Sequence, residues 1–147
     1  MKKGLISGSF DLYHVGHVSF IHAARQQCDW LTCAVSTDEH IRAVKGSCRP
    51  IIPLEHRLAI LKANRYIDRT VIIPGETDEA VREGLERIVQ KEQPTFVFCG
   101  ADRTADKNFL PIQDKYGFTY EVLESGMSER TSGIIERILT LYQGERI

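Results

Sequence analysis

At 147 residues, 42% hydrophobic and 27% charged, the chain has the makeup of one soluble globular domain that buries roughly two-thirds of its unfolded surface. Nineteen Lys and Arg against twenty Asp and Glu leave a formal net charge of −1, so no global basic field points to a nucleic-acid partner, and any anion site must be built locally. The apolar run after "MKK" is too short for a signal-peptide core and no segment approaches a membrane span, which argues against export and membrane insertion.

In chain order, "GLISG" is a short buried strand ending in glycine. From Gly16, "GHVSFIHAARQQ" places Val18, Ile21 and Ala24 on one helical stripe. "WLTCAVS" is a second buried strand, and "DEHIRAV" a short helix for which Asp38 is a candidate N-cap. "PLEHRLAILKANRYI" is predicted as one helix, with Pro53 at its start and Leu54, Leu58, Leu61 and Tyr66 on its apolar side. "RTVIIP" is a third strand, and "TDEAVREGLERIVQKE" a helix capped by Thr77 or Asp78. "TFVFCG" and "FTYEVLE" are further strands, and "TSGIIERILTLY" a closing helix.

Strands alternating with helices imply right-handed βαβ units, hence a parallel α/β sheet with helices on both faces. No repeat, low-complexity tract or linker divides the chain, so residues 1–147 are expected to form a single domain. The four cysteines show no CxxC pair or ligand-like spacing, and Cys33 and Cys99 sit in apolar runs as reduced thiols would. Free thiols without an export signal predict a cytoplasmic protein. Trp30, Phe96 and Phe98 also lie in strand-like runs and are expected in the core. His22, His40 and His56 are assigned structural or solvent-facing places.

In such a sheet, ligands bind beyond the carboxyl ends of the strands. "GSFDLYHVGH", Gly8 to His17, follows the first strand and so belongs at that mouth. Gly8 is expected to permit a tight turn, and Gly16 to keep the helix entrance open to a ligand. The free amides and positive dipole end of that helix favour phosphate, and His14 and His17 add donors beside them. A metal site built on the two histidines lacks further ligands at sensible spacing, so no protein-held metal is predicted.

"GSFDLYHVGH" resembles the GxFDxxHxGH signature of the cytidylyltransferases, within the HxGH nucleotidyltransferase superfamily. "STDEHIRAVKG", "PLEHRLAILKANRYID" and "RTSGII" resemble later elements of that family, in the same order and over nearly the whole chain. Chain size and motif order are most like those of the bacterial glycerol-3-phosphate cytidylyltransferases. The resemblance implies a Rossmann-like single domain of about five parallel strands. It also implies a homodimer with its interface near the first helices.

It implies site roles as well. His14 and His17 would contact the nucleotide phosphates, Lys45 would hold phosphate from a loop, and Arg130 would grip the triphosphate. Gly8, Ser9, Phe10, Asp11, Gly16, Asp102, Thr131 and Ser132 would line the nucleotide. Asp38, Arg57, Arg65 and Arg103 would face the acceptor. Mg²⁺ would ride on the triphosphate. Bland readings stand beside these: Lys45 as a solvated loop lysine, Arg57 and Arg65 as surface ion-pair members two turns apart on one helix, and Asp38 as a cap.

The chain departs from the family pattern in places. Ser9 stands for the usual threonine, and Ser132 for the glutamate of RTEGIS, followed by Ile135, Glu136 and Arg137. "GADR", Gly100 to Arg103, replaces Gly-Asp-Asp-Trp, so Arg103 takes the tryptophan's place and could recognise an extra anionic group.

The expected reaction is CTP plus a phosphorylated small alcohol, glycerol 3-phosphate first, giving a CDP-alcohol and pyrophosphate. The alternatives are an adenylyltransferase using ATP on a phosphorylated cofactor precursor such as FMN or pantetheine phosphate, and a nucleotide-sensing module without turnover.

Overall fold

A computed structural model describes residues 1–101, 107–124, 126–127 and 129–144. Five parallel strands form one sheet: β1 (Lys3–Gly8), β2 (Trp30–Ser36), β3 (Arg69–Ile73), β4 (Phe96–Gly100) and β5 (Thr119–Leu123), in spatial order β3-β2-β1-β4-β5. The helices are α1 (Val15–Gln26), α2 (Asp38–Lys45), α3 (Leu54–Lys62), α4 (Asp78–Glu92), the short α5 (Gln113–Tyr116) and α6 (Thr131–Leu141). The predicted α/β Rossmann-like sheet is therefore present.

The two-residue period of the strands sorts the core into two layers. Ile6, Cys33, Val35 and Phe98 point to the side covered by Ile21 and Ala24 of α1 and Leu61 of α3. Leu5, Ala34 and Val97 point to the other, against Val81, Leu85 and Val89 of α4 and the apolar residues Phe109, Ile112 and Phe118. Right-handed crossovers explain the split. The chain steps one way from β1 to β2 to β3, then reverses across the sheet to β4, so α4 falls on the face opposite α1 and α3. The reversal opens a crevice between the carboxyl ends of β1 and β4, the place where such sheets take ligands.

Several local expectations change. The helix after Pro53 ends at Lys62, not at Ile67. Asn64 ends it, its amide bonding to the Leu61 carbonyl and its side-chain oxygen accepting from the Tyr66 amide at 2.9 Å. Arg65 consequently lies in a turn, not two turns along a helix from Arg57. Thr37, not Asp38, caps α2 by accepting from the His40 amide, while Thr77 caps α4. Val18 remains 39% exposed, leaving Ile21 and Ala24 to carry the α1 stripe. Trp30 is 36% exposed because it is the first residue of β2, at the sheet's rim. Among the described residues, no helix is long and apolar enough to cross a membrane.

Candidate active site

The crevice is a cavity of about 790 Å³ at the carboxyl ends of β1 and β4. Of the residues singled out from sequence, Gly8, Ser9, Phe10, Asp11, His14, Gly16, His17, Lys45, Arg130, Thr131 and Ser132 all line it. They come from three stretches far apart in the chain: the β1–α1 loop, the end of α2 and the start of α6. Asp38, Arg57 and Arg65 are not among the lining residues. Asp102 and Arg103 lie outside the described residues.

The β1–α1 loop turns through Phe10 (φ 51°) and Leu12 (φ 46°), both in the left-handed region that non-glycine residues seldom occupy. Gly8, expected to make the turn, is instead the last residue of β1 and packs beneath the Phe10 ring. What holds the strained turn is Asp11, whose carboxylate is 1% exposed. One oxygen accepts from the Leu12 amide (3.0 Å) and the Ile52 amide (2.8 Å); the other accepts from the Ile51 amide (2.9 Å) and Arg49 Nε (2.8 Å). Burial alone would push this carboxyl up, but the two amides and Arg49 outweigh it and hold it below the usual carboxylate value. Asp11 is thus saturated by its own chain and ties the first loop to residues 49–52.

Beyond the turn, His14 is the N-cap residue of α1. Its backbone amide donates to His17 Nδ1 at 3.3 Å, so the neutral His17 ring carries its proton on Nε2. The two imidazoles stack with centroids 3.8 Å apart, and Tyr13 and Phe10 flank His17 at 5.5 and 5.3 Å. Burial lowers the His14 pKa, opposed by the nearby Glu129 carboxylate. His14 Nδ1 is buried with no hydrogen-bond partner among the described residues.

Gly16, which lines the cavity, also permits a close approach of two protein segments. A Cβ there would meet the Glu129 carbonyl oxygen at 2.6 Å and the His14 ring at 3.0 Å. The segment leading into α6 therefore sits directly on the first turn of α1. Thr131 Oγ1 donates to the Asp11 carbonyl at 2.9 Å and pins α6 to the loop. Glu129 accepts from the Arg130 amide (2.9 Å) and from Arg137 (2.6 Å), and these partners hold its carboxyl below the ordinary value.

From the end of α2, Lys45 Nζ donates to Ser9 Oγ at 3.3 Å. Arg57 is buried, its side chain 0% exposed. Its guanidinium donates to the carbonyls of Ser9 (2.5 Å), Ser36 (2.9 Å) and Ile52 (2.9 Å) and to Asp38 Oδ1 (2.6 Å). It gathers the ends of β1, β2 and the loop before α3, and it spends all three nitrogens on protein oxygens. Arg65 is exposed, its guanidinium 5.3 Å from the Tyr66 ring centroid. Arg49 and Glu129 line the cavity without having been marked from sequence. Both stand in polar loops and gain their places through partners 38 and 8 residues away, which no local pattern reveals.

Among the described residues, no group of three or more His, Cys, Asp or Glu could hold a metal ion. The acidic groups near the histidines are already engaged, Asp11 by four donors and Glu129 by Arg137.

The profile of the family described as Cytidylyltransferase-like matches residues 5–137. The Bifunctional protein HldE of Alcanivorax borkumensis is 36% identical over 133 residues, which cover 90% of this chain and 26% of that protein. The Bifunctional protein HldE of Mesorhizobium japonicum is 37% identical over 139 residues, covering 94% of this chain and 27% of that protein. The chain thus spans about a quarter of the length of these curated relatives. A lipopolysaccharide core biosynthesis protein from Thermoplasma volcanium shares the fold, with a TM-score of 0.68 and 24% identity over 88% of this chain and 99% of that one. Pantothenate synthetase from Thermus thermophilus superposes with a TM-score of 0.60 at 16% identity, over 90% of this chain and 58% of that one. With the family profile matched from β1 into α6, and the HxGH loop at the mouth of the sheet, the chain belongs to the cytidylyltransferase-like family of nucleotidyltransferases.

Proposed function

We propose that this chain transfers a nucleoside monophosphate from a nucleoside triphosphate to the phosphate of a small phosphorylated acceptor. An acceptor phosphate oxygen attacks the α-phosphorus. The new P–O–P bond forms as the bond from the α-phosphorus to the α–β bridging oxygen breaks, and pyrophosphate leaves with that electron pair. The nucleophile is already anionic near neutral pH, so the task is positioning two polyanions in line and stabilising the five-coordinate phosphorus. His14 and His17 donate to the α-phosphate, Lys45 neutralises phosphate from the α2 side, and Arg130 with the amides at the start of α6 holds the β- and γ-phosphates. Mg²⁺ enters as part of the nucleotide substrate. The observation that carries this reading is that His14, His17, Lys45 and Arg130 converge on one cavity from three separate parts of the chain.

The donor we propose is CTP and the acceptor a small-alcohol phosphate, on the strength of "FDLYHVGH" and "RTSGII". Ser132 and "GADR" depart from the cytidylyl pattern, which favours a second reading: adenylyl transfer from ATP to another phosphorylated small molecule. A homodimer packed near α1, where Val15 and Val18 are exposed, is part of the proposal and is checked by sedimentation.

Pyrophosphate release tests the reading, with CTP and ATP each offered alongside glycerol 3-phosphate, phosphoethanolamine, phosphocholine, sugar phosphates, FMN and pantetheine phosphate. Release with CTP and one alcohol phosphate is the expected result, and release with ATP alone moves the donor. Nucleotide binding with silence across the panel supports a sensing module instead.

A further inference from the structure

Arg49 and Arg57 both reach into the same knot of loops, yet they differ in what they leave unused. Arg57 places Nε, Nη1 and Nη2 on protein oxygens and does not line the cavity. Arg49 lines the cavity and gives Asp11 only its Nε, although a guanidinium meeting a carboxylate for structure alone prefers a two-pronged pair. The second prong is refused because Asp11 already holds three backbone amides. Arg49 Nη2 is left buried, with no hydrogen-bond partner among the described residues. A buried cationic donor without an acceptor is unfavourable, and because Arg49 borders the cavity, a small turn of its guanidinium about the Nε–Asp11 bond would bring Nη2 to an anion there.

We propose that Arg49 is a specificity-determining ligand for the phosphate of the acceptor, with its guanidinium oriented by Asp11. The inference rests on the nucleotidyl-transfer reading above. Position selects the acceptor over the nucleotide. Lys45 and Arg49 belong to the end of α2 and the loop after it, which follow β2, whereas Arg130, Thr131 and Ser132 begin the segment that follows β5, and β2 and β5 flank the β1–β4 crevice on its two sides. In-line transfer needs its two anions presented from opposite sides of the α-phosphorus, so cations brought in after β2 and after β5 suit one substrate each. A phosphate monoester also fits the chemistry of the site. It can accept a hydrogen bond from Nη2 while the Arg49–Asp11 bond stays intact, and Asp11 sets the plane in which the guanidinium meets it.

The test joins kinetics to a site-specific binding measurement. With the acceptor that supports turnover, Arg49→Gln and Arg49→Lys should each raise the acceptor KM at least tenfold and leave the nucleotide KM within twofold. In the unmodified full chain, the Arg49 side-chain nitrogen resonances, assigned by their loss in Arg49→Lys, should shift saturably on titration with inorganic phosphate. An unchanged acceptor KM in folded variants, or a raised nucleotide KM in its place, overturns the inference while turnover keeps the transfer reading. Saturable phosphate shifts in a protein that turns over no donor–acceptor pair support the anion site and sink the transfer reading. If Arg49→Gln fails to fold, Arg49→Lys and the resonance titration decide, and absence of the shift counts against the site.

Discussion

The His14 amide donates to Nδ1 of His17 while the two imidazole rings stack 3.8 Å apart. The pair is organised by the first turn of α1 itself, so its geometry exists before any substrate arrives. A backbone donor on one ring nitrogen settles the tautomer, leaving Nε2 of His17 as the donor.

Replacing either ring with alanine should therefore remove catalysis without unfolding the protein. His14→Ala and His17→Ala are each expected to lower kcat by at least a hundredfold, the scale of a lost donor to a developing oxyanion. Their thermal midpoints should stay within a few degrees of the parent, since neither side chain belongs to the buried apolar core. Normal turnover by both variants would refute the phosphate assignment.

Glu129 is the acidic neighbour that opposes the burial-driven lowering of the His14 pKa. Glu129→Gln should lower the His14 pKa further, since the neutral amide no longer favours the imidazolium. Proton NMR titration of the His14 ring reads this directly; an upward movement would show that Glu129 does not act on the ring electrostatically.

Asp11 supplies a stability prediction with a definite sign. Its folded pKa lies below the unfolded value near 3.8, so its contribution is fully present above that value and is lost as pH falls through the folded value. Asp11→Asn should cost about 1–3 kcal/mol at pH 7, because a buried carboxylate accepting four hydrogen bonds is replaced by an amide whose NH2 must face two of the four donors. The gap between parent and variant should narrow in acid. Denaturant unfolding across pH 2–7 would measure it, and a gap that widened toward acid would contradict the assignment.

Arg57 was expected to face the acceptor, and its burial makes a different outcome the natural one. Arg57→Met should destabilise by about 3–5 kcal/mol, since Asp38 and three carbonyls lose their charged partner inside the fold. A variant of parental stability with only a raised acceptor KM would return Arg57 to the acceptor pocket.

Gly16→Ala isolates the seating of α6 on α1. Alanine is worth up to about 1 kcal/mol over glycine within a helix, yet here its methyl group meets the Glu129 carbonyl at 2.6 Å. The segment carrying Arg130 must shift, and kcat/KM should fall at least tenfold. Unchanged kinetics would mean that the α6 entrance adapts freely.

Much of this protein was legible in its sequence because the responsible forces are local and periodic. Alternation of two- and 3.6-residue apolar patterns specified five strands and the helices between them, and a parallel sheet follows from that alternation. The HxGH loop had to lie at the sheet's mouth because it follows β1. Where local rules compete, the reading slipped: Asn64 ends α3 early through its own hydrogen bonds, and Thr37 rather than Asp38 takes the cap.

Only the tertiary structure decided which charged side chains face the cavity. Arg49 and Arg57 stand eight residues apart, one in a loop and one on a helix, and no spacing rule says which of them faces the cavity. Arg57 is surrounded by carbonyls from three chain segments and is consumed by them; Arg49 meets a carboxylate already occupied by backbone amides and keeps a donor in reserve. Hydrogen bonds between residues 38 to 48 positions apart follow from how loops cross over the sheet. A sequence carries that information only through the completed fold.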